Sequence, residues 1–310
     1  MNPKVITRKI WLILIAGVLI LASCSPAAPS EATPETPEFD SFTQGSGKLA
    51  FAAQVDKNSK YDLYLIHLRD GELFRITENA NSDIAPSLAR DGLTVAFSSD
   101  RRNTYDLYTI ALPNGAAEFV FLSSANETEP KISPDGELIA FQSNTFGDYD
   151  IFTIKPGESE PQRLTEDDSQ ETQPSWAPDG ARLAFVSNRD GDFEIFTMGV
   201  DGSGVEQITD NEFYDAAPAW SPDGKQIAFI SRRGAHFQLY LLDLQTREET
   251  ALTEFSGTVH SPAWSPNGRF LAFILDMDEG SQILVTNPST GEFFFAHEEF
   301  KKYAGLTWSE

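Results

Sequence analysis

From residue 47 onward, apolar side chains fall in short runs such as LAFAA, TVAFSS, LIAFQS and QIAFIS, broken by turns rich in Asp, Asn, Gly and Pro. Runs of branched and aromatic residues between such turns read as strands. No window holds a helical period, and only residues 292–303 leave helix and strand open.

The runs repeat. PSLARDGLTVAF starts at Pro86, PKISPDGELIAF at Pro130, PSWAPDGARLAF at Pro174, PAWSPDGKQIAF at Pro218 and PAWSPNGRFLAF at Pro262, each 44 residues after the last. A second register agrees: Tyr64, Tyr108, Phe152, Phe196, Tyr240 and Leu284 are also 44 apart. Residues 47–310 span 264 positions, six such units. Each unit reads as four strands: the P-x-W-S segment, the I-A-F run, the Y-D-L-Y run and a segment ending in R-I-T or R-L-T. Four-stranded units of this length are the signature of propeller blades. The chain therefore predicts an all-β, six-bladed β-propeller of four-stranded antiparallel blades. The N-terminal unit lacks a first strand, and Trp308 lies 44 residues after Trp264. The C-terminal strand is thus expected to join the N-terminal blade and close the ring, leaving no open edge.

Ahead of the repeats, Lys4, Arg8 and Lys9 precede an apolar run at 10–22, as in a secretory signal. Leu21-Ala22-Ser23-Cys24 then resembles a bacterial lipobox, and Cys24 is the chain's one cysteine. That resemblance implies a lipoprotein signal peptide at 1–23 and lipidation of Cys24. Residues 24–46 are rich in Pro and acids and read as an extended tether. At about 3.1 Å per residue, ~20 residues reach up to ~60 Å. The expectation is an extracytoplasmic, membrane-anchored protein, with the choice between inner and outer membrane left open.

Charge narrows the partners. There are 47 acidic against 23 basic residues, for a net charge of -24. No nucleic acid is expected, since nothing would neutralise its phosphates. A single cysteine excludes a disulfide framework and a cysteine-based zinc site.

The five blocks, most fully PAWSPDGKQIAF, resemble the TolB-like β-propeller repeat. The acidic turn in SNRDGDFEIF and the closing R-L-T belong to the same pattern. The resemblance covers 47–310, with Leu88 and Ile132 in place of Trp and Arg90 in place of Pro. It implies a six-bladed propeller. TolB itself carries an N-terminal α/β domain that this sequence does not show, so the translocation role is not carried over.

Trp176, Trp220, Trp264 and Trp308 recur once per blade, which marks them as packing between blades. Up-and-down topology puts the second-to-third loops and the blade-to-blade loops on one face. Three residues before each block's proline stand Asp83, Glu127, Glu171 and Asp215, then Val259, with Tyr303 at the same place in the last unit. Two readings are open: an acidic arc that, with Tyr303, binds a partner, or carboxylates that cap their own turns. His236 and His260 lie in loops of that face and are weak metal candidates; no metal site is assigned. SNRDGD at 187–192 and LDMDEG at 275–280 are oxygen-rich turns that leave calcium open, although neither has the twelve-residue ligand spacing; no other cofactor is expected. There is no G-x-S-x-G elbow. The expected function is binding: a monomeric scaffold presenting an acidic loop face to an envelope protein, peptide or glycan. The alternative is a carbohydrate-active lyase or hydrolase at the channel mouth.

Overall fold

The computed structural model describes residues 47–309, among which every regular element is a strand. Blade 1 holds β1 (Lys48–Gln54), β2 (Asp62–His67) and β3 (Leu73–Arg75). Blade 2 holds β4 (Asp83–Leu88), β5 (Thr94–Ser99), β6 (Asp106–Ala111) and β7 (Ala117–Phe121). Blade 3 holds β8 (Glu127–Ile132), β9 (Ile139–Ser143), β10 (Asp150–Ile154) and β11 (Gln162–Arg163). Blade 4 holds β12 (Glu171–Trp176), β13 (Arg182–Ser187), β14 (Glu194–Gly199) and β15 (Glu206–Gln207). Blade 5 holds β16 (Asp215–Trp220), β17 (Gln226–Ser231), β18 (Gln238–Asp243) and β19 (Glu249–Ala251). Blade 6 holds β20 (Thr258–Trp264), β21 (Leu271–Met277), β22 (Gly280–Asn287) and β23 (Glu292–His297). The last strand, β24 (Lys302–Ser309), pairs with β1 and completes blade 1 in the order β24-β1-β2-β3. The six-bladed propeller and its closure are therefore as the repeats predict. The ambiguous 292–303 window resolves as β23, a short connection and the start of β24.

Each second strand carries a phenylalanine that fills the wedge between blades: Phe51, Phe97, Phe141, Phe185, Phe229 and Phe273 are all fully buried. The tryptophans tie blades together, as expected. Trp176 Nε1 donates to the Lys131 carbonyl at 2.8 Å and Trp264 Nε1 to that of Ala219 at 3.0 Å, each in the preceding blade. The P-D-G turns use glycine for a left-handed conformation, as at Gly136 (φ 78°) and Gly224 (φ 72°). The threonine of R-I-T, R-L-T and their variants also has a task. Thr77, Thr165, Thr209 and Thr253 accept the backbone N–H of Leu63, Ile151, Ile195 and Leu239, closing each fourth strand onto its third.

One feature of the first strands is absent from the repeat reading. Ala85, Glu129, Gln173, Ala217, Ser261 and Gly305, spaced by 44, all have φ between 50° and 57°. Each sits in a β-bulge between the strand's opening residue and the following part of the strand. The bulge shifts the register, so strict alternation does not say which first-strand residues meet the channel.

Candidate functional site

The loop face is knitted together by side chains of the second-to-third loops. Asp100, Asn144 and Asn188 accept the N–H groups of Ser82, Asn126 and Gln170 in the blade-to-blade loops, at 2.7–2.8 Å. Just beneath lie the four carboxylates of the anticipated arc. Asp83, Glu127, Glu171 and Asp215 are each 0% exposed, which corrects the expectation of an exposed acidic arc. The reason is register. Glu127 pairs with Ser143 and Ser143 with Asp150, on the face that also carries Phe141 and Phe152 and packs on blade 2.

Each carboxylate instead fastens its own loop. Asn79 donates to Asp83, and Asn211 to Asp215. Ser123 and Ser143 donate to Glu127, while Ser169 and Ser187 donate to Glu171. Arg101 lies 3.0 Å from Asp83, and Arg189 lies 3.3 Å from Glu171. Burial pushes the Glu127, Glu171 and Asp215 carboxyls above the usual range, against the pull of these donors. Tyr303 is also no partner contact: it is 2% exposed, with its hydroxyl 2.5 Å from His297 Nδ1 and 3.1 Å from the Phe300 N–H. It fills an aromatic cluster with Phe51, Phe300 and His297 where blade 6 meets blade 1. The loop face is acidic all the same, through other residues of the same loops: Glu78, Glu166, Asp168, Asp210 and Glu212 are exposed.

Among these acids lies an aromatic patch at the blade 4–blade 5 boundary. Phe213 and Tyr214 are 37% and 41% exposed. Tyr214 stands 4.7 Å from the Phe193 ring and 5.3 Å from that of Phe237, and Arg233 lies over Phe213.

His236 and His260 are not brought into one ligand set. His236 is exposed, 3.4 Å from Thr258. His260 is half-buried, with Nδ1 3.0 Å from Ser261 Oγ and Nε2 3.5 Å from Asp276. Asp276, in the 275–280 segment, also accepts Ser281. Among the described residues, three ligating side chains gather only at His67, Asp70 and Glu72, at the other end of blade 1. Cys24 and the tether lie outside the described residues.

The six first strands surround a channel cavity of about 530 Å³. Its walls are unequal. Blade 3 contributes an ion pair, Glu129 to Lys131 at 3.5 Å, while blade 6 contributes His260 and Ser261. In a six-membered ring these blades stand opposite one another. Sequence reasoning passed over Glu129 and Lys131; their signal was charge at positions where the other units carry Ser, Gln, Ala, Gly or Thr.

A second set of buried carboxylates opens the third strands: Asp62, Asp106, Asp150 and Glu194. Asp62 pairs with Arg75 at 2.7 Å and Asp150 with Arg163 at 2.9 Å. Glu194 accepts Thr209 and the Asn211 N–H, yet burial and the Asp215 charge raise it to about 7. Asp106 is the exception. Neither of its oxygens meets a side-chain donor, because Phe119 and Phe121 stand where blades 1 and 3 carry arginine and threonine. Gln238 holds the equivalent place in blade 5 and bonds the Phe255 and Gly257 carbonyls. Asp106→Gln is expected to stabilise the fold by about 1–2 kcal/mol, since it removes a buried unpaired charge. Urea unfolding at pH 7.5 checks this; an unchanged or lower midpoint contradicts it.

The sequence matches the TolB beta propeller domain over residues 36–145 and 123–294. No curated protein matches it. TolB from Acinetobacter baumannii is similar in structure (TM-score 0.75, 20% identity), over 85% of this chain and 66% of that one. The putative TolB from Agrobacterium tumefaciens gives TM-score 0.67 and 20% identity, over 81% of this chain and 88% of that one. An oligogalacturonate lyase solved with manganese gives TM-score 0.56 and 14% identity, over 79% and 78%. At these identities the likeness is one of fold.

Proposed function

Because the chain belongs to the TolB β-propeller domain family, we propose that it is a binding propeller: a lipid-anchored, extracytoplasmic ring that captures an envelope protein or peptide on its loop face. The observation that carries this is the exposed Phe213–Tyr214 patch set among Asp210, Glu212 and other exposed acids. An apolar patch rimmed by charge marks an interaction site. Acids around it favour a partner segment that joins apolar and basic residues.

The test is capture of partners from envelope extract by the full chain. Phe213→Ser with Tyr214→Ser should lower capture at least about 10-fold, equivalent to ~1.4 kcal/mol, while circular dichroism shows the propeller still folded at the assay temperature. Capture should also weaken as salt rises. Undiminished capture by the double variant overturns this site. Cys24→Ser should move the protein from the membrane to the soluble fraction; continued membrane association overturns the anchor.

A second reading rests on His260. Its ring lies between Ser261 and Asp276 on the channel wall, an arrangement suited to moving a proton. That favours a lyase or hydrolase acting in the channel. Turnover of acidic oligosaccharides that disappears in His260→Ala would support it; equal turnover by both proteins would remove it.

A further inference from the structure

The face opposite the loops carries a different chemistry. Between the turns of blades 4 and 5 lies a cavity of about 400 Å³, lined by Arg182, Thr197, Trp220, Lys225, Gln245 and Arg247. In a protein of net charge -24, three cations in one cavity are unexpected. Blade 6 carries Arg269 at the place of Lys225 and blade 1 carries Lys48 at that of Arg182, but no other unit has all three cations together. The place of Arg182 is taken by Thr94, Leu138, Gln226 and Phe270 elsewhere.

Arg182 is held without being neutralised. Its guanidinium stacks 4.9 Å above the Trp220 ring, and it has no ion pair or hydrogen bond among the described residues. Stacking leaves the edge of the guanidinium, with its N–H fork, available. Arg247 is already spent, on Glu206 at 2.5 Å and the Ile208 carbonyl at 3.4 Å. Lys225 has one weak neighbour, Asp223 at 3.8 Å. Asp243, also on the wall, is occupied by the N–H groups of Gln245 and Thr246. Three cations against Glu206, Asp243 and the Asp223 beside Lys225 leave the surroundings close to neutral, with Arg182 the cation that no carboxylate engages.

Trp220 supplies an independent observation. It is 6% exposed, and its indole N–H is buried without an acceptor. Trp176 and Trp264, at the same place in their blades, both have a carbonyl acceptor. A buried donor left unpaired costs about 1–3 kcal/mol, so this blade boundary beside the cavity is one acceptor short.

We propose that this cavity binds a monocarboxylate. The carboxylate meets the edge of Arg182, where a planar two-oxygen group fits the fork, with Lys225 as the second cation. Thr197 and Gln245 serve the polar remainder of the ligand. A monoanion is tolerated in these near-neutral surroundings, whereas a phosphate dianion meets repulsion from Glu206 and Asp243. The site lies on the face opposite the Phe213–Tyr214 patch and does not depend on it.

The experiment uses the full chain in detergent, at low salt, titrated with glucuronate while tryptophan fluorescence is followed. The expected result is a saturable change with a dissociation constant on the order of 1 mM. Glucose, which lacks the charge, gives none. Arg182→Gln weakens the response about 10-fold and Lys225→Gln a few-fold. Lys225 is 78% exposed, so its variant leaves the fold intact. Trp220→Phe abolishes the fluorescence change. A missing response, one that survives Trp220→Phe, or one unaltered by both charge variants overturns the proposal. Tighter binding of inorganic phosphate than of glucuronate overturns the carboxylate assignment.

Discussion

Arg189→Ala is expected to cost about 3 kcal/mol of stability, seen as a drop of roughly 10 °C in melting temperature. Arg189 is 19% exposed and reaches inward to Glu171, which is 0% exposed. It also pairs with Asp167 at 3.0 Å, donates to Ser187 at 2.9 Å and stacks over Phe196 at 5.1 Å. Removing it leaves a buried carboxylate whose remaining donors are the Ser169 and Ser187 hydroxyls. An unpartnered buried charge is the expensive outcome, more than the lost pair itself. Glu171→Gln in the same chain should therefore restore most of the loss. The deficit should also shrink as pH falls, because protonation of Glu171 removes the charge that Arg189 compensated. Blade 3 shows an alternative solution: Thr145 holds the place of Arg189, and Glu127 manages with hydroxyl donors. A loss below about 0.5 kcal/mol, the range of a surface pair, would mean that Glu171 relies on its serines alone.

The second large effect is with pH. Glu194 is 1% exposed and titrates near about 7, above its ordinary 4.5, through burial first and the Asp215 charge after it. A raised carboxyl pKa means that the folded state holds the proton more tightly. Its stabilising contribution is fully present below pH 4.5 and is lost as pH rises through about 7. The difference amounts to roughly 3 kcal/mol. His297 works in the opposite direction. Burial lowers it to about 4, so stability is lost as pH falls from 6.5, where the unfolded chain begins to take up its proton. Wild type alone therefore shows a blunted profile below pH 6.5. Comparing it with Glu194→Gln cancels the His297 contribution and leaves that of Glu194 together with its neighbour Asp215: the variant should gain on wild type by about 2–3 kcal/mol between pH 5 and pH 8. A constant difference between the two proteins across that range contradicts the assignment.

Much of this was legible in the residues themselves. A 44-residue period, with Phe at the centre of the I-A-F run and Gly after Pro-Asp, has one solution in local physics: four short strands that must stack to bury their faces. Ring closure followed from the same count, since Trp308 keeps the register of Trp264 and pairs opposite Leu49. The packing role of Trp176 and Trp264 was legible because it repeats. The site was less so. The recurrence of Asp83, Glu127, Glu171 and Asp215 showed that these acids are equivalent without showing which way they point. The bulge at Ala85, Glu129, Gln173, Ala217, Ser261 and Gly305 breaks strict alternation along the first strands, and no residue type marks it.

Only the tertiary structure decided what the departures from the repeat mean. Phe119 and Phe121 read as unremarkable strand residues until the fold shows that they take the donors from Asp106. Glu129 and His260 stand 131 residues apart in the sequence and face each other across the ring only because blades 3 and 6 are opposite. Arg182 over Trp220 is likewise a contact between neighbouring blades. The sequence by itself determined the number of blades, their strands and the closure, because those depend on local patterning repeated at fixed spacing. Burial, charge balance and partnership depend on which faces meet between blades, and that geometry exists only once the ring has closed.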